Sequence, residues 1–166
     1  MSRLAAGLEA FNRWVGRVVS WLTLAMVLTT FVVVLLRYGF DLGWIWLQEL
    51  VTVMHALVFM LGAAYTLADD EHVRVDILYN RFGPRSRALV NCLGVVLLLV
   101  PFCLLILITG WDYVVSAWAV REGSPQAGGL PGVYLLKSII LLMPVLLLLQ
   151  GVSIFLQQLP LLMNRD

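Results

Sequence analysis

The sequence predicts an all-α integral membrane protein: four transmembrane helices with both termini in the cytoplasm. Three observations predict it. The 166 residues are 61% hydrophobic and only 13% charged, with a mean hydropathy of +0.94. The apolar residues fall into four long runs, and the arginines crowd onto one side of those runs. A soluble domain of this length leaves much of its surface in water and carries about 25% charged residues, so lipid must be the main solvent here.

A spanning helix needs about 20 mostly apolar residues. The first run, "VVSWLTLAMVLTTFVVVLL" from Val18 to Leu36, has no charge and sets a span over about 15–36. Its apolar core is longer than the roughly 7–15 residues of a cleavable signal, and no A-x-A-like site follows, so it is expected to remain in the mature protein. The second run, "GWIWLQELVTVMHALVFMLGAAYTL", gives a span over 45–67. The third covers 88–111 and continues as helix to about 120, where "REGSP" stops it. The fourth covers 135–159. None shows the period-2 alternation of a barrel strand.

Around these spans, Leu4, Leu8, Phe11 and Val15 recur at helical spacing, which predicts an interfacial helix over residues 3–16. "REGSPQAGGLPG" reads as a loop on the external side. Arg3, Arg13, Arg17, Arg74, Arg81, Arg85, Arg87 and Arg165 share one side; Arg37, Arg121 and Lys137 lie on the other. That asymmetry orients the chain with its termini inside. Trp14, Trp44, Trp46 and Trp111 flank the spans, where amphipathic rings prefer to sit. The residues form one membrane domain over 1–166, with no internal repeat.

Polar residues in the oily runs are the candidate functional groups. Glu49 lies just inside Trp44 and Trp46, close to the external interface, where the cost of a charge falls from roughly 2.5–3.5 kcal/mol at the centre. Three readings stand open: contact with headgroups or water, an ion pair with Arg37 at the end of span one, or a contact with another subunit. His55 is six residues on, about 120° around the helix from Glu49, so the two are not a ready pair. It is expected to hydrogen-bond a neighbouring helix as a neutral imidazole. Gly62 to Ala64 are small enough for close helix approach, within the chain or between subunits. Pro101 and Pro144 are expected to kink spans three and four.

Several classes are disfavoured. Cys92 and Cys103 are eleven residues apart, about 16 Å along one helix, too far for a disulfide. A bis-histidine haem would need a second intramembrane histidine, yet His72 belongs to the cytoplasmic loop. No catalytic triad, metal-ligand cluster or nucleotide fingerprint is visible, so no catalytic, cofactor-binding or metal residue is assigned. A net charge of +1 and the lack of a basic stripe argue against a nucleic-acid partner. Four spans this poor in ionisable groups make no polar pathway alone.

"LLRYGFDLGWIWLQEL", "HALVFMLGAAYTLADDEHVRVDIL" and "GPRSR" together resemble the small permease subunit of tripartite ATP-independent periplasmic (TRAP) transporters, the DctQ-like family. The matching positions are Arg37 and Tyr38, Trp46 and Glu49, Phe59 to Ala64, and His72, Val73, Val75 and Asp76. Gln48 stands where the family often has a first acid, so that acid's role is not carried over. The resemblance implies a bacterial inner-membrane complex with a large permease subunit and a periplasmic solute-binding protein. It implies uptake of an organic acid by symport, driven by an ion gradient, with the small subunit bracing a static scaffold among membrane lipids. Arg37, Trp46 and Glu49 would then fix the external end of the first hairpin, while His72, Arg74 and Asp76 order the cytoplasmic turn. The competing readings are a four-helix homodimeric proton-coupled antiporter and a haem- or quinone-binding membrane anchor of a redox enzyme.

Overall fold

The computed structural model describes residues 3–69 and 82–163, and those residues are helical apart from short connections. Helix α1 spans Arg3–Gly39 and α2 spans Ile45–Ala68. The third span, Pro84–Ala119, consists of α3 (Pro84–Gly94), a π-helical turn (Val95–Leu99) and α4 (Val100–Ala119). Helix α5 spans Val133–Met163. Each span is long and apolar enough to cross a membrane. At 1.5 Å per residue α1 is about 55 Å long, well beyond a hydrocarbon core of about 30 Å, so it must tilt or protrude.

Helix α5 is the hub. It packs against α1, α2, α3 and α4, whereas the first hairpin and the third span have no comparable helix contact with each other among the described residues. The core joins Val19, Leu61, Ala64, Cys103, Ile139, Leu146 and Leu147, one patch from each span. Small residues let the helices close up, since packing rather than water exclusion holds helices together in lipid. A side chain at Gly16 would run into the Tyr65 ring, and a Cβ at Gly151 would sit 2.7 Å from Leu99 Cδ2. A side chain at Gly62 would meet nothing within 4 Å, so the close approach falls at Gly16 and at buried Ala64 instead.

The N-terminal segment is helical as expected, and residues 3–16 run without a break into the first span as the first four turns of α1. Ala5, Asn12 and Gly16 are buried, while Leu4 and Phe11 face outward. The chain has no proline between Arg3 and Leu36, and the small face of the segment finds α5 and α2, so the helix simply continues.

In the third span, proline alters the helix as expected but through a particular geometry. Pro101 offers no N–H, and its ring would crowd the carbonyl four residues back. The backbone widens just before it: Val100 N–H bonds Val95 O, five residues back, in the π turn. Pro144 lies fully buried within a continuous α5. Cys92 and Cys103 are both buried free thiols.

Candidate functional site

Two polar clusters tie the helices together, one at each end of the bundle. The first is built on Glu49, on the second turn of α2. Its carboxylate reaches across to the 120–132 connection between α4 and α5. Oε1 accepts a hydrogen bond from the Ser124 hydroxyl, and Oε2 accepts one from the Leu130 N–H at 2.6 Å. Ser124 N–H donates to Leu130 O at 2.8 Å, and Gln126 N–H to Ser124 Oγ at 3.1 Å, so the carboxylate caps a loop that is already folded on itself. Charge-assisted bonds of this kind are stronger than neutral ones. Gly129 is required: a Cβ there would meet both Ser124 and Glu49 Oε1. Gly128, at φ 78°, supplies the left-handed turn beside it.

The base of this loop is braced separately. Lys137 donates to Glu122 at 2.5 Å and lies 4.1 Å over the Tyr113 ring. Trp118 Nε1–H donates to Ser138 Oγ at 2.7 Å, and its indole meets Tyr134 edge-on.

The second cluster lies where α1 starts and α5 ends. Asn12, Gln150 and Ser153 are 1%, 2% and 0% exposed. Asn12 Nδ2 donates to Gln150 Oε1 at 3.0 Å and to Leu146 O at 3.3 Å. Ser153 Oγ donates to Ala5 O at 2.9 Å. Gln157 Nε2 donates to Glu9 Oε2 at 2.8 Å and to Ser153 Oγ at 3.1 Å. Arg13 links Glu9, at 2.9 Å, to Asp69 at the end of α2, at 2.6 Å. Asn12 Oδ1 is buried without a hydrogen-bond partner.

The residues singled out by sequence are therefore not one site. The ion pair between Glu49 and Arg37 is not formed. Arg37 lies exposed in the last turn of α1, and beyond it Asp41, at φ 54°, turns the chain so that Leu42 N–H meets Leu36 O. Trp46 stacks on Trp44 at 6.1 Å rather than closing on Glu49. The expected hydrogen bond from His55 to a neighbouring helix is absent among the described residues. His55 faces outward and stacks on Phe59 at 6.3 Å. With Gln48 and Thr52 it makes an exposed stripe at i, i+4, i+7 along α2, ending on Phe59 at i+11. His72, Arg74 and Asp76 lie outside the described residues. Sequence reasoning missed Asn12, Gln150 and Ser153; the signal was there in "LLLLQGVS", an amide and a hydroxyl set deep in an apolar span.

Four long apolar helices define the class: a multi-pass α-helical membrane protein with no soluble domain among its described residues. The particular family follows from comparison. The chain belongs to the DctQ component of tripartite ATP-independent periplasmic transporters, whose family model matches residues 26–161. It is 35% identical over 89 residues to a C4-dicarboxylate TRAP transporter small permease protein of Vibrio cholerae, covering 54% of this chain and 38% of that one. It is 28% identical over 104 residues to a putative TRAP transporter small permease protein of Haemophilus influenzae, covering 61% and 64%. The matches thus span less than two thirds of either relative. No solved structure matches the chain.

Proposed function

We propose that this small membrane subunit braces a large TRAP permease subunit in the bacterial inner membrane, for ion-gradient-driven symport of an organic acid delivered by a periplasmic binding protein. The observation that carries the reading is the outward stripe of Gln48, Thr52 and His55 on α2. Polar side chains facing lipid are costly, and hydrogen bonds between helices relieve that cost. Such a stripe fits a partner helix better than a lipid tail. The name of the Vibrio relative supports a carboxylate substrate. In this reading Glu49 is an internal anchor, and His72, Arg74 and Asp76 serve the cytoplasmic turn and its contact with the large subunit.

The homodimeric antiporter is less well supported. Glu49, the carboxylate it would need, is engaged by a hydroxyl and an amide. A photocrosslinking amino acid at position 55, in cells of the natural host, tests the choice. The expected product joins this chain to a large permease, identified by its peptides. Products containing only a second copy of this chain, with uptake unaffected by deletion of its gene, would overturn the proposal.

A further inference from the structure

We infer that a single water molecule is held between α1 and α5, donating a hydrogen bond to Asn12 Oδ1 and accepting one from the Gln150 side-chain amide. Asn12 is 1% exposed, and its Oδ1 is buried with no hydrogen-bond partner. An amide acceptor taken out of water without a donor is costly, and a bound water or ion is the ordinary remedy. The orphan is not removed by turning the amide over. Asn12 Nδ2 donates to two acceptors, Gln150 Oε1 at 3.0 Å and Leu146 O at 3.3 Å. Leu146 O is a backbone carbonyl with nothing to donate, so a reversed Asn12 would set oxygen against oxygen there. Reversing Gln150 as well leaves that clash in place.

The surroundings set the chemistry of the occupant. It must donate, because the orphan is an acceptor. It must be small, because Asn12, Gln150 and Ser153 are sealed between the helices. The groups beside it are amides, a hydroxyl and a backbone carbonyl, which suit a neutral molecule. Water meets all three demands, and a buried water is held by two to four polar partners. Gln150 carries its Nε2–H groups beside the Oε1 that Asn12 holds, so the two amides close a ring through the water.

Position supplies the way in. Gln150, Ser153 and Gln157 fall at i, i+3 and i+7, a polar ladder on the face of α5 that meets α1. Gln157 Nε2 donates to Ser153 Oγ at 3.1 Å and to Glu9 Oε2 at 2.8 Å. The Glu9 and Asp69 side chains at the margin are 19% and 18% exposed, and Arg13 between them is 44% exposed. The ladder therefore runs from wetted groups up to Asn12. One turn further along α1 the Tyr65 ring lies against Gly16 and fills the seam, so water enters from the polar margin and stops at Asn12. The inference uses only contacts within the chain and stands apart from the transporter reading.

Water-edited solid-state NMR tests it, on the full isotope-labelled chain in lipid bilayers with whatever subunits accompany it. At short mixing times, magnetisation from water should reach the side-chain amides of Asn12 and Gln150 as readily as that of Gln157. The methyl groups of Leu147, buried in the core, should stay dark. In Asn12→Leu, whose side chain takes the place of both the amide and the water, transfer to Gln150 should be lost while transfer to Gln157 persists. A dry Asn12 in the native chain, or undiminished transfer to Gln150 in a folded Asn12→Leu, would overturn the inference. So would an Asn12 signal that moves when potassium is exchanged for sodium, which would put a cation at the orphan oxygen. Should Asn12→Leu fail to fold, the native chain decides, since a dry Asn12 sinks the inference and a wet one upholds it.

Discussion

The two polar clusters solve the same problem with opposite chemistry. At one end a single carboxylate, Glu49, gathers a hydroxyl and a backbone amide from a glycine-rich loop. At the other, neutral amides and a hydroxyl are sealed between α1 and α5, with charged Glu9, Arg13 and Asp69 at the margin. The half-buried carboxylate is met by two donors, a hydroxyl and a backbone N–H. The sealed cluster is neutral because an isolated charge at that depth would be far more expensive. Both clusters fasten the first hairpin to the second half of the chain, so they should fail in different ways.

The largest expected effect comes from forcing the helices apart beside the sealed cluster. Gly16→Leu puts a side chain into the Tyr65 ring and should cost about 3 kcal/mol, the upper range for overpacking. Thermal unfolding in detergent would read it. Glu49→Gln should come next. It replaces an acceptor facing the Leu130 N–H or the Ser124 hydroxyl, so protease cleavage within 121–132 should speed up several-fold and recovery of the complex should fall more than substrate preference changes. An intact complex with altered ion coupling would instead make Glu49 a transport residue.

Asn12→Leu should cost about 1 kcal/mol, since interhelical hydrogen bonds in membranes are individually modest. The double variant Asn12→Leu with Gln150→Leu should cost less than the two single changes added, because each single change strands its partner. Full additivity would show that the two amides do not act as a unit. The smallest effect belongs to Arg37→Gln, expected within about 0.5 kcal/mol, as for exposed groups without a structural partner. A double-mutant cycle of Arg37 and Glu49 should give no coupling; a measurable one would restore the ion pair read from the sequence.

What was legible in the sequence follows from range. The four spans declared themselves because length and apolarity are local properties, and α4 runs on to Ala119 much as "DYVVSAWAV" suggested. Pro101 flagged a break, but not that it would take the form of a π turn, which is a matter of backbone geometry that residue type does not specify. Glu49 drew notice as a charge in an oily run, yet its partners were out of reach. They lie 75 and 81 residues away, and one is a backbone N–H that no side-chain pattern reveals. The near neighbour Arg37 was one of three partners left open by the sequence, and it lies exposed without reaching Glu49. Asn12 and Gln150 escaped because attention to ionisable groups passes over neutral amides, though both face the same demand for partners in lipid.

The central place of α5 has a consequence in time. Of the described helices it is made last, yet it is the one that packs extensively against both the first hairpin and the third span. During synthesis the earlier helices precede the one that packs against both groups, with Asn12 still lacking the amide that will meet it. Only when residues 146–157 arrive does the bundle close. The interval is a window in which a chaperone or a partner subunit could occupy the seam, and a stalled chain ending before Gln150 would hold that seam open.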